Sequence, residues 1–385
     1  MNIKENMNTS NYHALFLSLV FVIISFANSG ITIAKGLLYC VFIIVIFIVP
    51  IIHSKIQLIY SKVLRSGLIL ITYNILIIFV NFENQSSVYN GLLYSGLILF
   101  VLVLLSANYK LEVLELIIHY MSFFSKLLLL LNIFFSLSLN FIWVSSTSFL
   151  FLFLYFIYVD KHTKKITKVI YSIIWLLNAI LDESRTFILL FPVFVFLIFS
   201  WNKITKFKLR YNIIFIFITS LLFLIPIFYI YLSHSKYALI LNQYALEYTD
   251  SRFFSGRDSI WSNLLTYYYD HNLFFGGGHH VTPYYVYGHN ISSHNTFISI
   301  LITTGIIGSI LFILFARNIW NSYLLYKNNK VIKYSAIFFI VLLLKQSSEL
   351  SLIGNNVSVS IISWLVIAFG LMYVSALNIE GRQNK

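Results

Sequence analysis

Residues able to do chemistry concentrate between Arg252 and His294. That stretch holds Arg252, Arg257, Asp258, Asp270 and five of the ten histidines: His271, His279, His280, His289 and His294. Guanidinium groups hold anions, and imidazoles ligate metals or move protons near neutral pH. Ser255-Gly256-Arg257-Asp258 reads as a helix start, with Ser255 as cap and Asp258 at the positive end of the dipole. Ile260, Leu264 and Tyr268 then continue an apolar face. Arg257 falls in the first turn, where backbone N–H groups and a guanidinium can hold an anion together. Pairing with Asp258 or with lipid phosphate explains Arg257 equally well.

The histidine spacings match no usual zinc pattern, and His279 and His280 are adjacent, so no metal is expected. His294 stands apart. It opens an apolar run and is followed by Asn295 and, further on, by Gly305-Ile306-Ile307-Gly308. It could cap that helix, bond to lipid or act as a general base. Gly276-Gly277-Gly278 permits a tight turn and close approach of a ligand to the backbone. It is no phosphate loop, because no Lys-Ser/Thr follows and no strand precedes. Arg185 ends the turn Asp182-Glu183-Ser184-Arg185 between two apolar runs. Burying it in lipid costs about 2.5–3.5 kcal/mol or more, so it either pairs with Asp182 or Glu183 or faces the interior as a second anion-binding arginine. Tyr267, Tyr268, Tyr269, Tyr284, Tyr285 and Tyr287 suit an interfacial belt or stacking on sugar rings.

The elements that position these residues are membrane helices. The 385 residues are 59% hydrophobic and 10% charged, with a mean hydropathy of +0.85. A soluble domain carries about 25% charged residues to cover its surface. Lipid is the solvent that fits. The expected fold is all-α: a polytopic bundle of about twelve transmembrane helices with one large external loop. Spans lie near 11–29, 36–53, 65–81, 90–107, 124–144, 147–160, 167–181, 186–200, 210–232, 294–315, 333–349 and 356–377. The division is therefore a bundle of nine spans over 1–232, an external loop over 233–293, and three spans over 294–385. Pro192 could kink the eighth span. Leu111, Leu114, Ile117, Ile118 and Met121 share a face, so 109–123 reads as an amphipathic helix on the cytoplasmic interface. Met1 to Ser10 leads into an uncleaved first span rather than a signal peptide.

The net charge of +13 would suggest nucleic acid in a soluble protein. Here 20 of the 26 basic residues fall in segments on one side of the bundle. The six on the other side are Lys35, Arg185, Lys236, Arg252, Arg257 and Lys345. This is the positive-inside pattern of a multi-pass protein with both termini cytoplasmic, and it excludes nucleic acid as the expected partner. Cys40 is the single cysteine and lies in an apolar run, which excludes an internal disulfide and cysteine-based zinc sites. Loops longer than about 12–15 residues are usually functional or disordered, and the aromatic content of Ser233–Ser293 argues against disorder.

Four stretches together resemble the O-antigen ligase and O-antigen polymerase superfamily. They are Ser255-Gly256-Arg257-Asp258-Ser259-Ile260-Trp261, His271-Asn272-Leu273-Phe274-Phe275-Gly276-Gly277-Gly278, Ser293-His294-Asn295-Thr296-Phe297 and Gly305-Ile306-Ile307-Gly308. Ser184-Arg185 ahead of an apolar span is similar to a further family element. The resemblance covers about 185–315. Asn272 stands where the family usually has Pro, and Arg252 competes with Arg257 as the matching arginine; Gly256 and Trp261 favour Arg257.

The resemblance implies a membrane glycosyltransferase of the bacterial inner membrane. Its donor would be a glycan on undecaprenyl diphosphate, transferred with inversion and without metal or cofactor to an acceptor hydroxyl. By position, Arg185 and Arg257 would hold the diphosphate and His294 would activate the acceptor. Arg252, Asp258, Trp261 and Asn295 become candidate substrate-binding residues. A flippase and a chain-length regulator are the candidate partners. The expected activity is polymerisation of O-antigen or capsule-type repeat units, with ligation to lipopolysaccharide core as the close alternative. A lipid-linked glycan flippase is the alternative of another class, but its spans should carry charges lining a cavity, and these spans are almost free of charge.

Overall fold

Apolar runs of this length must satisfy their backbone groups within the segment, and in lipid the helix is the single-segment way to do so. A computed structural model describes residues 61–83, 85–106, 109–139, 147–181, 185–249, 252–254, 256–270, 272–281, 286, 293–353 and 357–383. The expected spans 11–29 and 36–53, Cys40, Asp182–Ser184, Ser255, His271, His289, Tyr284, Tyr285 and Tyr287 lie outside the described residues. The described residues form helices and no strand. The helices are α1 Ser61–Val80, α2 Gln85–Ser106, α3 Leu111–Leu139, α4 Thr147–Val159, α5 Lys165–Leu181, α6 Arg185–Thr205, α7 Lys208–Ser233, α8 Ala238–Thr249, α9 Arg257–Tyr269, α10 Thr296–Leu324, α11 Lys330–Lys345 and α12 Val357–Gln383.

Seven of these, α1, α2, α3, α6, α7, α10 and α12, are long and apolar enough to cross a membrane. The chain is a multi-pass membrane protein. The shorter apolar helices α4, α5 and α11 coincide with the remaining described spans. Helix α11 is central: it packs on α4, α6, α7, α10 and α12, and most of its side chains are buried. Helix α12 is buried along its whole apolar length.

One local expectation changes. The amphipathic segment 109–123 and the span 124–144 are one helix, α3, 29 residues long. No breaker separates them, so the helical hydrogen bonds run on. Leu114, Ile117, Ile118 and Met121 form the expected buried face, while Glu115, His119 and Lys126 meet the Asp160–Thr163 turn. Pro192 lies inside α6, and a break in the helical backbone falls in α10, at Gly305, with φ 68° and ψ −170°.

The bundle has two chemically distinct ends. At one, Lys327 Nζ donates to Thr205 O at 2.7 Å and Lys330 Nζ to Asp160 O at 3.5 Å, near Lys161 and Lys168. At the other, the start of α10 meets the end of α11 through Thr296 N–H donating to Gln346 O at 3.0 Å. The two ends are joined by the 29 residues of α10.

Candidate active site

Helix α9 carries Arg257 at its first position and Asp258 beside it. Its cap is Gly256 rather than Ser255. Gly256 has φ 81°, a conformation that suits glycine, and the helix starts without a side-chain cap. The apolar face is the expected one. Ile260, Trp261, Leu264 and Tyr268 pack with Val281, Ile298 and Ile302 in a cluster separate from the bundle core. Arg257 is half-buried, and it makes no ion pair with Asp258 or any other described residue. Asp258 Oδ1 is buried and finds no hydrogen-bond partner among the described residues.

His294 stands just before α10 with φ 49°, in the left-handed region. That conformation costs a non-glycine residue roughly 1–2 kcal/mol and persists where neighbours enforce it. The neighbours here are explicit. Trp261 Nε1 donates to Ser293 O at 2.7 Å. Asn295 caps α10, its Oδ1 accepting from Phe297 N and Ile298 N at 2.9 Å each. Asn295 Nδ2 donates to Ser347 O at 2.9 Å, and Thr296 Oγ1 to Gln346 Oε1 at 2.7 Å. Trp261 and Asn295, expected as substrate contacts, thus have their polar atoms engaged by the protein. They fix the segment that presents His294.

The electrostatics join three elements. Burial, and then the charge of Arg257, lower the His294 pKa from its ordinary 6.5, while Glu349 opposes them. The imidazole is therefore neutral at neutral pH, the form in which it can accept a proton. Lys345, fully buried at the end of α11, lies with Nζ 3.5 Å from Glu349 Oε2 and 5.2 Å from the ring centroid of Phe187. Phe187 belongs to the first turn of α6, the helix that Arg185 opens. The starts of α6, α9 and α10 and the end of α11 are thus linked at one end of the bundle. Arg252 is exposed on the segment before α9, where Tyr229 Oη donates to the neighbouring Phe253 O at 2.8 Å.

The glycine turn has a partner that sequence did not show. Gly277 N and Gly278 N donate to Ile302 O and Thr303 O at 2.8 and 3.0 Å, and Ile306 N and Ile307 N donate to Leu273 O and Phe274 O at 3.0 and 3.2 Å. A Cβ on Gly305 would stand 2.2 Å from Phe274 O, and one on Gly276 2.6 Å from Gly305 N. The glycines admit the broken backbone of α10. Behind the turn, His280 Nε2 lies 3.2 Å from Glu83 Oε2, and Asn90 Nδ2 donates to His279 O at 3.3 Å. Burial, with His280 beside it, pushes the His279 pKa down to about 4. Among the described residues no three His, Cys, Asp or Glu side chains converge as metal ligands. Of the aromatics, Tyr268 is buried with its hydroxyl donating to Leu273 O, and Tyr269 is exposed.

Lys345, Gln346 and Glu349 were missed by sequence reasoning. A lysine at the end of an apolar run, four residues before a glutamate, was the available signal.

Residues 170–313 match the family model described as O-antigen ligase. The match takes in Arg185, Arg257 and His294, covers a little over a third of the chain, and supports the resemblance to the ligase and polymerase superfamily. Among curated proteins, none matches the chain.

Proposed function

We propose, with the O-antigen ligase match as premise, that this protein transfers a glycan from a polyprenyl diphosphate, undecaprenyl diphosphate in bacteria, to a sugar hydroxyl at the external membrane face. The observation that carries the reading is the helix that Arg257 opens, bonded through Trp261 Nε1 to the carbonyl of Ser293 beside a half-buried His294. The two halves of a glycosyl transfer need those groups. His294 takes the proton of the acceptor hydroxyl as its oxygen attacks the anomeric carbon. The bond from that carbon to the diphosphate oxygen breaks on the opposite side, so configuration inverts. The departing diphosphate gains negative charge, which Arg257 and Arg185 stabilise in place. Arg252 and Asp258 contact the sugars or the diphosphate, whereas Trp261 and Asn295 position His294. No metal is needed, since the arginines supply the positive charge.

The activity is repeat-unit polymerisation, in which the acceptor is a second lipid-linked unit. A ligase is the second reading, favoured by the description of the matching family. A deletion strain separates them. Loss of a polymerase leaves a single repeat unit on the terminal acceptor; loss of a ligase leaves polymer on undecaprenyl diphosphate. Unaltered glycan in that strain would remove both readings. Both termini face the cytoplasm, so a reporter fused after Gly278 reads as external and reporters after Lys164 and Lys330 as cytoplasmic. A cytoplasmic Gly278 reporter would put the site on the wrong side for this donor.

A further inference from the structure

We infer that Glu349, itself held by Lys345, is the positioning residue for His294, orienting the imidazole and stabilising it once it carries the acceptor's proton. The inference deepens the transferase reading and rests on it. Both residues lie beyond the segment that matches the family, and their role is read from geometry.

The residues flanking His294 are stapled to the turn that carries Glu349. Asn295 Nδ2 bonds to Ser347 O, Thr296 N to Gln346 O, and Thr296 Oγ1 to Glu349 O at 3.3 Å. Gln346 closes the turn from within, its Oε1 accepting from Ser351 N and Leu352 N at 3.1 and 3.0 Å. Glu349 N–H donates to Lys345 O at 3.1 Å, which places the carboxylate one turn above the lysine. Lys345 is fully buried, and an ammonium in that position requires a counter-charge. Glu349 provides it at 3.5 Å while remaining 28% exposed. The carboxylate is thereby fixed beside the His294 segment rather than free in water.

Arg257 faces His294 from α9, Glu349 from the turn after α11, and Lys345 stands behind Glu349. Among the described residues, Glu349 is the group in this set that favours an imidazolium. A base that gains a proton beside Arg257 meets a positive charge on that side. The nearby Glu349 carboxylate orients the ring and compensates that charge, the part an acidic residue plays beside a catalytic histidine.

The test uses the full chain purified in lipid nanodiscs with ring-13C-labelled histidine. The His294 signal is identified by its loss in H294Q, and its titration is followed by NMR. In E349Q the midpoint falls, because the group favouring protonation is gone. In K345M it rises, because a cation is removed and Glu349 loses its counter-charge. A merely structural role moves neither midpoint in folded protein. In cells, E349Q lowers polymer formation about 10-fold or more, within the 10²–10⁴ that a general base contributes, and E349D restores part of it. An unchanged midpoint in folded E349Q overturns the inference; if E349Q does not fold, an unchanged midpoint in K345M does so. Polymer formation surviving in H294Q would instead overturn the transferase assignment and leave the titration result standing.

Discussion

Trp261→Phe isolates the contribution of a single hydrogen bond to the presentation of His294. Phenylalanine keeps the ring against Tyr229, whose centroid is 5.3 Å away, and keeps the apolar cluster filled. It removes the Nε1 donor that holds Ser293 O at 2.7 Å. Leaving that carbonyl unpaired costs about 1–3 kcal/mol. His294 is already about 1–2 kcal/mol above a relaxed backbone at φ 49°, so without the restraint the segment gains by turning out of that conformation. A net bias of about 1.4–2.8 kcal/mol against the presented state is a loss of roughly 10- to 100-fold in turnover. The donor arginines are untouched, so donor affinity stays near normal. The assay is transfer by purified protein, single-turnover, with donor binding measured separately. Turnover within about twofold of wild type in folded Trp261→Phe would refute the claim that Trp261 and the strained backbone jointly present the base.

Other expectations follow from the same geometry. Arg257→Lys and Arg185→Lys keep the charge but lose the planar fork, so both lower transfer about 100-fold or more in properly inserted protein, read as loss of the glycan ladder. Because burial and Arg257 depress the His294 pKa below 6.5, protonation of the base waits for lower pH. The acidic limb of transfer is therefore centred below pH 6.5, and a limb centred above 6.5 would contradict the assignment. Gly305→Ala forces a side chain 2.2 Å from Phe274 O at a φ of 68°. It abolishes activity and lowers the yield of folded protein, measured by detergent extraction and size-exclusion chromatography. His279→Ala and His280→Ala reduce transfer far less than His294→Ala, and activity survives chelators; loss in EDTA that a divalent ion restores would favour a metal site.

Much of the bundle was legible because lipid imposes a simple rule on sequence. Every described apolar run became a helix, since each had to satisfy its own backbone. The α9 face of Ile260, Leu264 and Tyr268 was equally legible from its spacing. What escaped was long-range. Nothing in residues 272–278 says that their partner is 302–307, because backbone pairing across sequence leaves no periodicity. Trp261 and Asn295 were expected to face substrate from their place in a motif, but the motif did not show the carbonyls of Ser293 and Ser347 waiting for them. Lys345 was visible only as a misplaced positive charge. Its meaning depends on Glu349 and Phe187, one a turn away and the other on a different helix. The continuity of α3 is hidden by a change from amphipathic to apolar pattern, though no residue there interrupts a helix.

The break in α10 ties the integrity of a membrane span to the loop that precedes it. Around Gly305 the helix abandons part of its internal ladder, and in a nonpolar setting each amide or carbonyl left bare costs several kcal/mol. Residues 273–278 supply the missing partners, four bonds exchanged edge to edge as in a small piece of sheet. The span cannot be completed on its own. It is finished only when a segment synthesised earlier folds back onto it, so insertion and loop closure form one cooperative event. Severing the chain between α9 and α10 would for this reason release a defective span as well as an idle site.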